Sequence, residues 1–348
     1  MKILITGGAG FVGANLAVKF TQTGNEVVCI DNLARRGSEN NLTRLSNNNI
    51  RFIHADIRNT EDLESIQFSP DVVLECSAQT TAVDGYSNPV YDFTNNTVGV
   101  INVLEFCRKK GAGIIFWSSN KVYNGDLCNL PPVIENDTRF EWSNENFLLD
   151  GWSKNGFNEK LSIDGGNHTI YGVTKAAADL FCQEWASAFE IPVIVNRLSC
   201  LYGPHQFGMV SQGWVVWFAL AKSLGIDLTF YGFGGKQVRD YLHIDDLFRL
   251  IDMQIASIEL KSGSVYNVGG GIENTTSVLE LSNRLDTMIG KNGKINHGVP
   301  RREDQKIFVC DISKVSSEFN WKPVISIDEG LSGVLDWIES EDLSWVSR

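Results

Sequence analysis

Tyr171 and Lys175 stand four positions apart. On a helix, residues i and i+4 share a face, so a phenol and an ammonium would lie together. A nearby cation favours the phenolate and draws the tyrosine toward the range of a general base. A plain surface pair is the alternative. Ser118-Ser119 closes the apolar run Ile114–Trp117. A hydroxyl at such a strand end can hydrogen-bond a substrate oxygen that is being oxidised or reduced. A second signal is Thr6-Gly7-Gly8-Ala9-Gly10-Phe11-Val12-Gly13, with every third residue from 7 to 13 a glycine. Gly7 permits a tight turn, Gly10 lets backbone approach a pyrophosphate, and Gly13 lets a helix pack closely on a strand. The helix that follows offers N–H groups and a positive dipole end to phosphates. Asp31 ends the next strand and presents a carboxylate to ribose hydroxyls. That carboxylate favours NAD over NADP, although Arg35 and Arg36 could receive a 2′-phosphate. Asp56-Ile57 either borders an adenine or forms a turn or helix cap.

A frame must hold these groups. Ile3–Ile5, Glu26–Ile30, Arg51–His54, Val72–Leu74, Ile114–Trp117 and Pro192–Asn196 read as strands. Phe11 to Phe20, Val98 to Lys109 and Tyr171–Phe189 have helical spacing. Such alternation predicts an α/β fold, a Rossmann-type doubly wound parallel sheet covered on both faces. A smaller C-terminal substrate-binding domain is expected beside it. The expected boundaries are 1–200 plus about 241–270 for the NAD-binding domain and about 201–240 plus 271–348 for the other. Residues about 124–168 are Asn-rich, Trp-bearing and weakly periodic, and read as a large loop insertion suited to a lid.

Composition narrows the classes. With 348 residues, 43 % hydrophobic and 21 % charged, the chain can bury a large core, and disordered or coiled-coil classes are excluded. A net charge of −12 argues against a nucleic-acid partner. The 7 cysteines are scattered without a C-x-x-C pair, which fits free thiols in a reducing cytoplasm and no metal site. No apolar run reaches membrane-spanning length and the N-terminus does not read as a signal peptide, so no membrane partner is expected.

The chain resembles the extended short-chain dehydrogenase/reductases, in their nucleotide-sugar epimerase and dehydratase branch. The resemblance rests on Thr6–Gly13, Asp31-Asn32, Ser118-Ser119-Asn120-Lys121-Val122-Tyr123, Tyr171-Gly172-Val173-Thr174-Lys175, Tyr202-Gly203-Pro204 and Arg239-Asp240-Tyr241-Leu242-His243. It implies Ser119, Tyr171 and Lys175 as the catalytic triad, with Lys175 also on the nicotinamide ribose. For NAD it implies Gly7, Gly10, Phe11, Val12, Gly13, Asp31, Asn32, Arg36, Asp56, Ile57, Ala78 and Asn96. For the sugar nucleotide it implies Asn120, Cys200, Gln206, Gln237, Arg239 and Arg302, with Arg301 one residue away as the alternative. Within the branch, His205-Gln206-Phe207, Gln212 to Phe218, Gly235 to Asp240 and Asp304-Gln305 are similar to enzymes that invert C2 of a CDP-deoxyhexose. Ser119 stands where those relatives have threonine, Cys200 where Asn or Ser is usual, and Asn124 where glycine is usual.

The implied chemistry is transient oxidation. A sugar C–H beside a hydroxyl is too weak an acid for direct deprotonation, so inversion goes through a keto-sugar formed with NAD, Tyr171 taking the hydroxyl proton. Arg239 and Arg302 would anchor the diphosphate; an ion pair of Arg239 with Asp240 or Asp245 is the structural alternative. Trp214 and Trp217 fit packing better than a ligand wall, and His205 and His243 lack metal-ligand spacing. A 4,6-dehydratase is disfavoured, because family dehydratases carry Asp-Glu where this chain has Asn120-Lys121. A 4-epimerase would use the same triad. A non-catalytic NAD-binding regulator is the rival of a different class. The resemblance also implies a homodimer or homotetramer.

Overall fold

A computed structural model describes all residues except 82, 145, 291, 292, 303, 342, 344, 345, 347 and 348. The chain divides into two compact units. The first comprises 1–122, 170–197 and 248–266, and the second 123–169, 198–247 and 267–348.

In the first unit, apolar runs become strands β1 (Lys2–Thr6), β2 (Glu26–Asp31), β3 (Arg51–His54), β4 (Val72–Glu75), β5 (Gly113–Ser119), β6 (Val193–Leu198) and β7 (Ser264–Val268). They form one sheet in the order β7-β6-β5-β4-β1-β2-β3. The pairs β1–β2, β1–β4, β2–β3 and β4–β5 are parallel. The order reverses between β1 and β4, the switch point at which ligands of open α/β sheets bind. Helices α1 (Phe11–Gln22), α2 (Gly99–Lys110) and α3 (Ile170–Phe189) cover the sheet. Leu4, Ile30, Val73, Val100, Leu104, Ile114, Phe116, Ala178 and Cys182 share one buried cluster. The helix expected from Val98 is preceded by a π turn, Thr94–Val98. Periodicity does not reveal a π turn, because one residue is inserted into an otherwise helical run.

Asp179 of α3 is fully buried, 2.9 Å from the Arg197 guanidinium. Its carboxylate also accepts from Ser118 Oγ at 2.6 Å and Gln183 Nε2 at 2.6 Å. This network ties α3 to β5 and β6.

The second unit builds its own core from Tyr202, Val216, Leu220, Phe230, Leu281 and Trp337. Strand Val238–His243 pairs with Cys200–Tyr202, Thr275–Ser277 and Ile307–Phe308. Helices Val278–Ile289 and Ile327–Ser340 each open with a capping box, Ser277/Glu280 and Ser326/Glu329. The stretch expected as an insertion of the first domain lies in this unit. Its backbone bonds explain the difference: Phe140 N–H donates to Lys236 O at 3.0 Å, and Phe157 N–H to Val309 O at 2.8 Å. It holds two short hairpins, Val133–Glu135 with Phe140–Trp142 and Trp152–Ser153 with Gly156–Phe157. Trp142 packs edge-on against Trp152 and Phe157. Among the described residues no helix is long and apolar enough to cross a membrane.

Arg197→Ala would leave Asp179 buried without its counter-ion. The expected loss is about 3–5 kcal/mol of unfolding free energy in urea titrations, as for other broken buried pairs; a loss under about 1 kcal/mol, the range of exposed pairs, would contradict this account.

Candidate active site

The glycine loop joins β1 to α1 at the switch point. Gly7 has φ +58°, and a Cβ there would lie 2.7 Å from Cys76 O. A Cβ on Gly13 would lie 2.3 Å from Gly7 O. Both contacts are closer than any side chain tolerates, so the loop is a cradle of bare backbone. Gly10 precedes α1 without a side-chain cap, leaving the first-turn N–H groups of Phe11, Val12 and Gly13 directed along the helix axis. Asp31 accepts from Ala9 N–H at 3.1 Å and Leu33 N–H at 2.8 Å. Burial pushes its carboxyl up, while hydrogen bonds from the Leu33, Ala9 and Gly10 amides oppose the rise. The cradle and its acid fit a dinucleotide: backbone N–H donors for the diphosphate and a carboxylate with further lone pairs for ribose hydroxyls.

The other expected cofactor residues take several roles. Asn32 Nδ2 donates to Asp56 Oδ2 at 3.0 Å. Asp56 is gripped by Arg58, with Nη2 to Oδ2 at 2.5 Å, and that contact pulls its carboxyl down to about 2. Asp56 Oδ1 also accepts from Arg58 N–H at 2.9 Å, closing a turn. Ile57 is core, packed where Gly99 leaves room, since a Cβ on Gly99 would sit 2.5 Å from Ile57 Cδ1. Arg36 is exposed, whereas Arg35 Nη1 donates to Thr80 Oγ1 at 3.0 Å. Ala78 is half-buried on the loop after β4. Asn96 is fully buried and stitches that loop to α3: its Oδ1 accepts from Gln79 N–H at 2.8 Å and its Nδ2 donates to Thr174 Oγ1 at 3.2 Å.

Ser119, Tyr171 and Lys175 come together within the first unit. Ser119 ends β5, and its Oγ accepts from Lys121 N–H at 3.2 Å and donates to Asn120 Oδ1 at 3.4 Å. Asn120 is itself buried. Tyr171 lies in the first turn of α3 and is half-buried. Burial pushes its phenol up; a hydrogen bond with Ser119 pulls it down, and the negative charge of Asp92 pushes it up again. Lys175 is 2 % exposed, with Nζ 4.2 Å from the centre of the Phe116 ring. Burial pulls its ammonium down, and Glu75 acts most strongly against that. Sequence reasoning passed over both Glu75 and Asp92. A charge at the end of the apolar run Val72–Leu74 was the available signal for Glu75. Asp92 gave none, because its burial follows from the packing of a loop.

The expected sugar-nucleotide residues outside Asn120 lie in the second unit. Cys200 is half-buried, opposite Tyr241. Gln206 and Gln237 are buried, their amide nitrogens donating to Leu201 O at 3.3 Å and Tyr231 O at 3.1 Å. Each leaves a buried amide oxygen with no partner among the described residues. Arg239 pairs with Asp304 at 2.7 Å rather than with Asp240 or Asp245. Asp240 accepts instead from Ser199 Oγ at 2.5 Å. Arg301 lies 4.7 Å over the Tyr231 ring, and Arg302 is exposed. Trp214 packs on Phe218 and Tyr241, in keeping with a core role.

Residues 3–269 match the family described as the NAD dependent epimerase/dehydratase family. CDP-paratose 2-epimerase of Salmonella typhi is 36 % identical over 98 % of this chain and 100 % of the relative. dTDP-glucose 4,6-dehydratase of Salmonella typhimurium is 29 % identical over 100 % of this chain and 95 % of the relative. The solved structure of UDP-glucose 4-epimerase from Thermotoga maritima with UDP-glucose superimposes with a TM-score of 0.79 at 25 % identity, covering 98 % of this chain and 99 % of that one.

Asp92 supplies a test of the site's electrostatics. Neither of its carboxyl oxygens has a hydrogen-bond partner among the described residues. Gly85 admits it, since a Cβ there would lie 2.4 Å from Asp92 Oδ2. Burial, then the charge of Asp84, pushes the carboxyl up to about 6. The folded protein therefore holds this proton more tightly than the unfolded chain, so stability declines as pH rises from about 4 through 6. Asp92→Asn should remove that share of the decline and melt at a higher temperature than the parent at pH 7. Identical melting curves for the two proteins from pH 4 to 7 would contradict the assignment.

Proposed function

The chain belongs to the NAD dependent epimerase/dehydratase family, enzymes that use NAD on nucleotide sugars, and we propose that it inverts C2 of a CDP-deoxyhexose of the CDP-paratose/CDP-tyvelose kind. The observation that carries this reading is Ser119 at the end of β5 together with Tyr171 and the buried Lys175 one helical turn apart on α3. The likeness to CDP-paratose 2-epimerase over the full length of both chains supports C2 and the cytidine nucleotide.

In this reading Tyr171 as phenolate accepts the proton of the sugar hydroxyl. Lys175 stabilises that phenolate, and Ser119 donates a hydrogen bond to the oxygen becoming a carbonyl. NAD, when bound, supplies the two-electron acceptor that makes the carbinol carbon invertible. The glycine cradle and the first turn of α1 would hold its diphosphate, Asp31 its adenosine ribose and Lys175 its nicotinamide ribose. Inversion requires the keto-sugar to present its other face while the nucleotide stays in place. Arg239 and Arg302 are proposed to hold the diphosphate of the sugar nucleotide, and the buried amide oxygens of Gln206 and Gln237 offer unused acceptors to its polar hydrogens. Elimination of water would need a further acid and base; an amide and an ammonium, Asn120 and Lys121, follow Ser119 instead.

A second copy of the chain is proposed as partner. Val173, Leu180 and Phe181 expose an apolar stripe along α3, each more than a third accessible, at spacings that share one helix face. Leu180→Glu should turn a dimer into a monomer in light scattering coupled to size exclusion. A parent protein that is already monomeric would overturn this part of the reading.

The catalytic reading is tested by offering CDP-, GDP-, UDP- and dTDP-sugars in heavy water and following products by NMR. The expected product is a C2 epimer of a CDP-sugar without deuterium at the inverted carbon. A 4-keto-6-deoxy product would replace epimerisation with dehydration. Tyr171→Phe should lower kcat by about 10²–10⁴-fold, the usual worth of a general base, while purified protein still carries NAD.

A further inference from the structure

Glu75 is the last residue of β4 and is 1 % exposed. The strand before it is wholly buried and apolar, so an acid at this position runs against the pattern. It is clamped on two sides. Thr6 Oγ1 at the end of β1 donates to Glu75 Oε2, and Ser77 N–H donates to Oε1 at 3.1 Å. Thr6 Oγ1 is itself oriented by Cys76 N–H at 3.2 Å. Both oxygens are thus occupied by donors; burial pushes the carboxyl up to about 7, and the Thr6 hydrogen bond, the Lys175 charge and the Ser77 hydrogen bond work against that rise.

Lys175 needs such a counter-charge. Its ammonium is buried over the ring of Phe116, and Phe116 is the β5 register partner of Glu75 on β4, so the carboxylate and the ammonium flank the same ring on one face of the sheet without a direct ion pair. Cys76 after β4, Cys107 on α2, and Asp179 and Cys182 on α3 interact electrostatically with Lys175 or Glu75, Tyr171 stands one turn from Lys175 on α3, and Cys29 and Asp31 on β2 act on Cys76. Burial holds all four thiols neutral by pushing them up. Asp179 is committed to Arg197, Ser118 and Gln183, and Asp31 to the amides of the glycine loop and Leu33.

We propose that Glu75, clamped by Thr6 and Ser77, is the buried counter-ion of Lys175 and a positioning residue for the reaction, keeping the ammonium charged so that it can stabilise the Tyr171 phenolate. The proposal rests on the reading of Tyr171 and Lys175 given above, and it adds a residue that acts only through another. Burial pulls a lysine down and an opposite charge pushes it back by about 1–3 units. Removing the charge of Glu75 therefore lets Lys175 shed its proton at lower pH. Activity that needs the charged lysine is present below its folded pKa and lost above it, so the alkaline limb of the rate profile moves to lower pH.

The test is a pH titration of the lysine side-chain carbons by NMR in protein labelled at lysine Cε, with the Lys175 signal identified by its loss in Lys175→Arg. Glu75→Gln should lower the Lys175 midpoint by about one unit or more and shift the alkaline limb of kcat/KM by the same amount. Glu75→Asp should keep the midpoint nearer the parent value. Should Glu75→Gln fail to fold, Thr6→Val, which removes one clamp, should move the midpoint in the same direction by less. An unchanged midpoint in the folded variant, or a rate limb that moves without the midpoint, overturns the proposal. The titration needs no substrate, so its failure is distinct from a failure of the epimerase reading, which Tyr171→Phe tests.

Discussion

A protonated amine inside a protein loses its water, and the surroundings must replace that water or the proton leaves. Lys175 imposes this demand on the first unit. The Phe116 ring face meets it on the β5 side, and the Glu75 carboxylate supplies opposite charge at the end of β4. The helix that carries the lysine is held by hydrogen bonds whose loss would let the ammonium drift. Thr97 Oγ1 donates to Thr174 O at 2.9 Å, and Asn96 bonds Thr174 Oγ1. The Asp179–Arg197 pair secures the same helix one turn further on. Tyr171 inherits its position from this docking, since one turn of α3 separates phenol from ammonium.

The sheet explains why these groups gather where they do. Strand order reverses between β1 and β4, and the loops leaving their carboxyl ends diverge there. The glycine loop occupies one side of that divergence. The loop after β4, tied down by Asn96, occupies the other. Absence of side chains at Gly7 and Gly13 lets backbone pass within contact distance of backbone, and Asp31 pulls the loop amides into line from the end of β2. The π turn before α2 belongs to the same economy of space: it places Asn95, Asn96 and Thr97 on the buried side.

The second unit has a different character. Its strands are short, two of its helices are pinned by capping boxes, and side chains such as Asp304 organise its polar interior. Arg239 is held by Asp304, and the Gln206 and Gln237 carbonyl oxygens remain available. The aromatic hairpins of 123–169 belong to this unit through backbone pairing with Lys236 and Val309. A sugar nucleotide bound by such groups would be recognised by its diphosphate and its polar edges.

Local pattern alone determined much of the first unit: six of the strands that make its sheet, its three main helices, the glycine loop, and the neighbourhood of Tyr171 and Lys175. Each depends on spacing within one segment, which a chain carries without folding. The remainder depended on partners distant in sequence. Glu75 has no role legible in its own segment; Thr6, 69 residues away, donates to it and fixes it in place. Asp92 carries no signal of burial in its own segment; the room beside Gly85 admits it. Residues about 124–168 read as an insertion of the first domain, and their backbone bonds join them to the second unit. Arg239 had several acids to choose from, and Asp304, 65 residues on, took it. Burial and long-range pairing decide charge states and partners, and both exist only after the chain has closed on itself.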